Sequence, residues 1–536
     1  MKIAKEKQCA SCKKNFPIYE DDLEFYGRMK VPEPKNCPDC RSQRRWGFRN
    51  QDTLYKRKCD FSGEPMISLY SEDKPYKVYK EEIWWSDKWD PMDYGRDYDF
   101  DRPFFEQFNE LLHEVPRRGM HQDGTNENSE YITFGVGNKN CYMMFASFYC
   151  EDILFGTWCG MSKDCVDCRS CFNCEIMYES YSCEKCYNCI HCYTCENCQD
   201  CLFMDDCRNC KNCIGCKNLR NKEFYIYNKK VTKEEYEKVK EKLLEHDLAE
   251  EEKKFNQWKL KFPSVNLEMQ NCENCTGEYI KNAKNCKMCY SIVMGAEECK
   301  YCQLAGWQGK DMWDCTTTGK ECELMYEMHA TLTSHNCAFC SFCRLCTDTY
   351  YCDCISNLKN CFGCSGLSHK KYCILNKQYT KEEYEELLPK IIAHMKETKE
   401  WGEFFPLAIS PFAYNETQAQ YYFPLKKEEA LEKGFKWIEV SDSESSTSSG
   451  ESLKCADCKK SYRITPQEEK FYKKIGVNSP TQCFECRRKR RAKLVKLQTL
   501  YDRKCDKCNV DIQTSFAPDR PEIVYCKDCY QDALIS

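Results

Sequence analysis

EKCYNCIHCYTCENCQDC (Glu184–Cys201) places a cysteine at every third position. With Cys183 just before it, seven sulfurs follow one another at unbroken i+3 spacing. On an α-helix each i+3 step falls about 60° short of a full turn, so such residues spiral round the whole surface. On a strand the same step sends successive side chains to opposite faces. Neither element gives the cysteines a common side. A backbone that bends every few residues does, turning one residue of each triplet inward and two outward. The intervening Lys185, Asn188, Glu196, Gln199 and Asp200 suit solvent. The period predicts stacked coils of a parallel β-solenoid with sulfur along the inner wall. A coil of about 18 residues fits the triplets, as do other multiples of three.

Composition narrows the setting. The chain has 536 residues, 48 of them cysteine, and a formal net charge of −5, so no global field draws it to nucleic acid or to a membrane. The start, MKIAKEKQCASC, is charged and lacks the apolar run of a signal peptide, and no stretch approaches 18 consecutive apolar residues. The expectation is a soluble, cytoplasmic protein with reduced thiols, where clustered cysteine signals metal. A secreted, disulfide-stapled protein is the weaker alternative.

Two internal duplications organise the chain. Cys9, Cys12, Cys37 and Cys40 form C-x2-C-x24-C-x2-C, and Cys455, Cys458, Cys483 and Cys486 repeat it. Both copies carry Phe-Tyr at the same offset (Phe25-Tyr26, Phe471-Tyr472), and both run into arginines. Nineteen positions beyond each last cysteine lies another, Cys59 in LYKRKCD and Cys505 in LYDRKCD. The second duplication has an offset of 148. Cys189, Cys192, Cys195, Cys198, Cys213 and Cys216 map onto Cys337, Cys340, Cys343, Cys346, Cys361 and Cys364. Each array exits through a strand-like segment into a capping box, Thr232 with Glu235 and Thr380 with Glu383, which predicts helices covering the open ends.

These repeats predict a mainly β chain: a Cys-lined parallel β-solenoid in two tandem halves with capping helices, flanked by small zinc-ribbon or treble-clef-like modules. The expected order is a zinc-ribbon module (1–50), a degenerate metal-free copy (51–100), a helix and connector (101–130, the helix from about Pro103) and the first solenoid half (131–231). A capping helix (232–262), the second half (263–379), and a capping helix with an aromatic segment (380–440) follow. Residues 401–440 suggest no role. SDSESSTSSGES (Ser441–Ser452) reads as a disordered linker within 441–453. A zinc-ribbon module with a basic helix (454–498) and a second such module (499–536) complete the chain.

Four cysteines in two CxxC pairs suit Zn²⁺, and a closed set of four thiolates is structural, with no open coordination position. Cys9, Cys12, Cys37 and Cys40 are expected to hold one ion, and Cys455, Cys458, Cys483 and Cys486 a second. Cys505, Cys508, Cys526 and Cys529, as C-x2-C-x17-C-x2-C, are expected to hold a third. Aligning the two ends puts Ser62, Lys80 and Ile83 opposite Cys508, Cys526 and Cys529, so the copy around Cys59 is expected to be metal-free, held by packing from Trp84, Trp85 and Trp89. After Cys486, the run RRKRRAKLVKLQTLYD predicts a basic helix. Its Arg487, Arg488, Arg490 and Arg491 are candidate phosphate contacts, weighed against a solvated helix face. RSQRRWGFR (Arg41–Arg49) is a weaker version with an aromatic that could stack on a base.

All 18 cysteines from Cys141 to Cys216 fall on positions divisible by three, whereas the 17 from Cys272 to Cys373 keep triplets but slip phase, for example between Cys275 and Cys286. Three roles compete for them: neutral filler of a narrow core, soft-metal sites, and iron–sulfur clusters. No cysteine in either array is followed by proline, unlike the ferredoxin run. Thiolates in a narrow interior would need close metal compensation, and aromatics abound in the first array, so neutral packing is favoured. No HExxH, P-loop, dinucleotide fingerprint or G-x-S-x-G elbow is present, and His191 is expected at the surface.

The tail segments resemble zinc-ribbon domains. The end modules, KCDFSGEPMISLYS, VYKEEIWWSDKWDPMDYGRDYDFDRPFFEQF, the triplet cysteines and the NKQYTKEEYEE exit together resemble an uncharacterised family of cysteine-rich bacterial zinc-ribbon proteins. In such relatives the segment matching Val78–Trp84 reads like VYCQDCW; Lys80 and Ile83 stand here instead. The resemblance implies no established activity. The leading expectation is a non-enzymatic scaffold holding about three structural zinc ions, with a protein or nucleic-acid partner and no membrane. The alternative is a soft-metal or redox-handling protein that uses the arrays.

Overall fold

Every third residue of the first array adopts a left-handed backbone: Asp164, Asp167, Ser170, Asn173 and Ile176 have φ between 51° and 57°. The structure, a computed structural model, describes residues 2–122, 124–246, 248–286, 289–293, 300, 313–316, 323–329, 331–439, 452–494 and 499–535. The expected linker (441–453) lies outside these residues except for Ser452 and Leu453, the latter opening a short strand, and Cys299, Cys302 and Cys322 lie outside them too. Each left-handed residue immediately precedes an inward one (Cys165, Cys168, Cys171, Cys174, Met177), and the residue after that pairs with the next pass of the chain. Lys163 pairs with Glu175, Val166 with Tyr178, Arg169 with Tyr181 and Phe172 with Glu184, all in parallel. The chain therefore returns to register every twelve residues, not eighteen. Strands from Glu151–Leu154 to Lys211–Lys217 and beyond form an eight-stranded sheet in sequential order.

A left-handed conformation costs a residue with a side chain about 1–2 kcal/mol, least for Asn and Asp, whose short polar groups bond locally. The first array fills these positions accordingly with Asn188, Asn197, Asn209, Asn212 and Asp200. Stacked twelve apart, they also bond one another: Asn197 donates to Asn209 at 3.1 Å and Asn209 to Asn221 at 3.0 Å.

The inward positions form one buried cluster in which Met144, Ile153, Met177 and Met204 alternate with cysteine at the same phase. Many of the thiols lie against carbonyl oxygens of their own rung and the next. Cys183 Sγ donates to the carbonyls of Tyr181 (3.4 Å) and Cys192 (3.2 Å), and Cys198 Sγ to those of Glu196 (3.5 Å) and Cys207 (3.4 Å). Burial pushes the thiols of Cys141 and Cys150 up to about 11 and about 12. The second array builds the same ladder with irregular rungs. Met269 pairs with Ile280 and Cys272 with Ala283, an eleven-residue step, whereas Lys300 pairs with Trp313, a thirteen-residue one. Single-residue changes in rung length account for the slipped phase.

Both parallel ladders end alike. Glu223–Ile226 turns at Tyr227 and Asn228, both left-handed, and pairs antiparallel with Lys229–Lys230; Lys371–Ile374 does the same through Leu375 and Asn376. Helices Lys233–Leu244 and Lys381–Glu397 follow, each opened by its expected capping box. The buried Tyr236 donates its hydroxyl to the Asp200 carbonyl at 2.6 Å, which seats the first helix on the ladder.

The chain divides into two units, neither of them contiguous: residues 1–119 with 267–439, and 120–266 with 440–536. The N-terminal module thus shares a unit with the second array, and the C-terminal modules with the first. Residues 401–439, within a stretch that suggested no role in sequence, bind the first unit together. Trp46 packs on Tyr422, Phe48 and Phe108 on Phe405, and Gln43 donates to the Tyr414 hydroxyl at 2.7 Å. Among the described residues no helix is long and apolar enough to cross a membrane.

Asn209→Val should destabilise the first ladder by about 1–2 kcal/mol, because a β-branched side chain is forced into the left-handed region. Asn209→Gly should cost less, although it too loses the amide contacts. Comparing thermal unfolding midpoints checks this; equal losses would show that the amide ladder, not the backbone, sets the preference.

Candidate metal centres

Three sets of four cysteines bring their sulfurs all within 4.8 Å of one another: Cys9, Cys12, Cys37 and Cys40; Cys455, Cys458, Cys483 and Cys486; Cys505, Cys508, Cys526 and Cys529. A tetrahedral ion with bonds of about 2.3 Å to sulfur separates its ligands by about 3.8 Å. The closest pairs recorded match: Cys12–Cys37 at 3.7 Å, Cys458–Cys483 at 3.7 Å and Cys508–Cys526 at 3.8 Å.

The three sets share one local construction. The first CxxC is a knuckle whose leading N–H and carbonyl both close onto the residues just beyond it. Cys9 donates to Lys14 O and accepts from Lys13 N, and Cys455 and Cys505 do the same with Lys460 and Lys459, and with Val510 and Asn509. The fourth residue after each leading cysteine (Lys13, Lys459, Asn509) is left-handed. The second CxxC opens a helix. Cys37 caps Pro38–Trp46, Cys483 caps Phe484–Ala492, and Cys526 directly precedes Lys527–Ile535. A ligand pair in a helix's first turn, opposite a hairpin knuckle, is a treble-clef arrangement, the second of the two module types expected from the sequence.

Backbone N–H groups point at the leading sulfur of each set. Cys37 N donates to Cys9 Sγ at 3.2 Å, Cys483 N to Cys455 Sγ at 3.3 Å, and Cys526 N to Cys505 Sγ at 3.2 Å. Burial opposes ionisation of Cys455, but N–H donation from Cys483, Cys458 and Asp457 outweighs it and brings the thiol down to about 6. Cys505 is likewise lowered to about 6, by N–H groups of Cys526, Cys508 and Lys507 acting against burial. These sulfurs are arranged as thiolates, and the residues present fit a tetrahedral thiophilic dication. The copy around Cys59 keeps the knuckle without the donor set. Lys80 N donates to Cys59 Sγ at 3.4 Å, while the Lys80 ammonium pairs with Glu64 at 2.6 Å.

The helices behind the second CxxC pairs anchor the modules. In the first unit Arg41 holds Asp314 through two bonds (2.8 and 3.1 Å), and Arg44 holds both oxygens of Glu327 (2.8 and 2.9 Å). In the second unit Arg487 donates to Asp167 (2.7 Å), Arg490 to Glu179 (2.6 Å), and Arg491 to both Glu179 (2.8 Å) and Asp167 (2.7 Å). Arg487 is 1% exposed and Arg491 5%. A guanidinium closed over by buried carboxylates is unavailable to a phosphate, so the expected nucleic-acid surface is corrected for Arg487 and Arg491. Arg490 is partly exposed but spent on Glu179 and Glu252, and Arg488 pairs with Glu485 on its own helix. Arg41, Arg45 and Arg49 are buried too, and Trp46 packs on Tyr422. His191, expected outside, is also buried, its Nδ1 3.2 Å from the Tyr193 hydroxyl and 3.6 Å from Glu252. Burial resists charge on Glu252, yet His191 and Arg490 hold its carboxyl down at about 2.

The carboxylates were missed in the sequence. Asp167 and Glu179 stand one rung apart in the left-handed column of the first ladder, and Asp314 and Glu327 hold the corresponding places in the second. The signal was present: each acid precedes an inward residue, and the second pair repeats the first at an offset of 147 or 148.

Arg41→Met should cost the first unit about 3–5 kcal/mol, because it leaves buried carboxylate uncompensated. Arg41→Lys should recover only part of this, since an ammonium cannot reproduce the two-bond fork. Denaturant unfolding of the full chain measures both; full rescue by lysine would reduce the contact to simple charge pairing.

Residues 451–494 match the family model described as a Probable treble clef domain, which covers the second four-cysteine set and its arginine helix. No curated protein and no solved structure matches the chain.

Proposed function

We propose that the protein is a non-enzymatic zinc-binding scaffold. In this reading the twelve-residue rungs close into cysteine-lined β-solenoids that serve as rigid bodies, and the treble-clef modules mounted on them are presented to a macromolecular partner, a protein in preference to a nucleic acid. The ions are three, one for each complete four-cysteine set, and the copy around Cys59 takes none. The observation that carries the reading is the opposite surroundings of the two kinds of sulfur. Leading sulfurs of the terminal sets accept N–H groups, as a metal thiolate does, although Cys9 Sγ also lies 3.7 Å from Asn36 Oδ1, whereas array sulfurs such as Cys183 and Cys198 lie against carbonyl oxygens, partners suited to a thiol. Among the described residues, the sets of clustered ligand atoms all belong to the terminal modules. The arrays then act as small apolar filler, in keeping with the Met and Ile side chains that share their positions.

Elemental analysis of the purified chain tests this. About three zinc ions per chain are expected, falling to two in Cys486→Ser. Many more ions, or iron with visible absorbance, would favour metal handling by the arrays and sink the scaffold reading.

A further inference from the structure

Both arginine helices are joined to their metal sets in the same way. The last ligand is followed at once by the first buried arginine, Cys40 by Arg41 and Cys486 by Arg487, and two more arginines that meet ladder carboxylates stand three and four residues further on, Arg44 with Arg45 and Arg490 with Arg491. At about 100° per residue these three positions share one helix face. The carboxylates they meet stand on successive rungs, so their spacing is set by the separation of neighbouring strands, about 4.8 Å. Such an acid step accepts the three guanidinium groups only from a helix held in one rotation and at one height. Each helix has just nine residues, a length that is marginal in water by itself. Around the metal set itself the N-terminal module has a core of Cys9, Phe16, Ile18 and Cys37, while its Phe25, Tyr26, Met29 and Val31 are buried in the core it shares with the second ladder. The element that fixes the helix's first turn is the four-cysteine set.

We propose that the acidic step of each ladder is a docking surface for a metal-loaded treble clef whose helix reads C-R-x-x-R-R. This rests on the zinc assignment above and extends it: zinc orders the helix, the ordered helix closes on the carboxylates, and the closed dock in turn retains the zinc. Coupled equilibria are reciprocal, so removing the carboxylates must loosen the metal. The pairing is crossed in sequence. Asp167 and Glu179 govern the site of Cys455, Cys458, Cys483 and Cys486, while Asp314 and Glu327 govern that of Cys9, Cys12, Cys37 and Cys40. Lys474, which pairs with Asp164 at 3.0 Å, and Phe484, which packs on Phe155, add to the dock in the second unit.

The test uses the full-length, zinc-loaded chain. Zinc release to a chromophoric chelator is timed, and the cysteines freed are identified by alkylation and mass spectrometry. In D167N/E179Q, zinc should leave the Cys455–Cys486 set on the order of tenfold faster than in the parent, with the Cys9–Cys40 set unchanged. D314N/E327Q should show the converse. R487K/R491K leaves the ladder's own sequence intact and should accelerate release from the Cys455–Cys486 set alone, so a ladder disturbed by its own substitutions cannot mimic the result. Unchanged release in all three variants, or loss from the same set in both carboxylate variants, overturns the proposal. A chain purified without zinc overturns the functional reading and this inference with it, whereas zinc held with parental kinetics in every variant overturns this inference alone.

Discussion

Everything in this molecule turns on which backbone group faces sulfur. A carbonyl accepts only, so a sulfur set between carbonyls keeps its proton, and burying it costs no more than burying a small apolar group. An N–H donates only, so a sulfur beneath one is favoured as thiolate and is ready for a cation. In the arrays Cys186, Cys216 and Cys352 also accept an N–H, yet each still reaches a carbonyl; Cys186 accepts from Cys198 N at 3.4 Å and donates to Glu184 O at 3.4 Å. The same residue type thus serves two ends within one chain, and the choice is made by the direction of the backbone, not by the cysteine.

That direction follows from the left-handed residue in every triplet. It bends the chain so that inward sulfurs meet carbonyls of the next rung, and it repeats a rung after four bends. The bend also builds the outer columns, where residues twelve apart stack. A column of left-handed positions tolerates Asn and Asp best, and once carboxylates occupy two successive places, a step of negative charge exists that needs cations. The arginines of the treble-clef helices meet this need. A backbone constraint inside the ladder thereby dictates the chemistry of the surface on which the modules sit.

Much of this was legible in sequence, and the failures have physical causes. The i+3 cysteine period revealed inward triplets, the paired CxxC spacings revealed the three sets, and Thr232–Glu235 and Thr380–Glu383 marked the helix starts. Rung length was not readable from the cysteines alone, because within runs such as Cys183–Cys201 successive triplet positions carry the same residue and show no longer beat. The Asn ladder held that beat, since Asn197, Asn209 and Asn221 recur at twelve. The arginines were misread because a charge run resembles a solvated or phosphate-binding face until its carboxylates are known, and those lie far off in the chain, 273 residues away for Arg41 and 320 for Arg487. The crossed pairing of modules and arrays has no local signature. His191 was placed outside because it stands between inward-facing thiols, although its left-handed column, with Asp167, Glu179 and Phe203, is itself covered.

The copy around Cys59 separates what the metal does from what the backbone does. Its knuckle closes as the others do: Cys59 donates to Glu64 O at 2.9 Å and accepts from Gly63 N at 2.8 Å, with Gly63 left-handed. Ser62, Lys80 and Ile83 replace three ligands, yet the N–H of residue 80 still finds the remaining sulfur. Hairpin geometry therefore needs no ion. What an ion supplies is the tie between the hairpin and the helix, and in this copy apolar side chains make that tie. Ile83 and Trp84 pack on Cys59 and Tyr79, Trp84 donates its indole N–H to Pro116 O at 3.1 Å, and Val78 pairs with Arg117. The C-terminal counterpart has Cys529 at the place of Ile83 and no tryptophan in the cluster around the sulfur, which gathers Cys505, Ile512, Phe516 and Val524 with Tyr525, Cys526 and Cys529 against them. On the proposed zinc assignment, a bound ion and a tryptophan-rich packing are two solutions to one problem, that of a segment too short to own a core. Where the packing is present the fold needs no ligands; where it is thinner, a bound ion would complete the core.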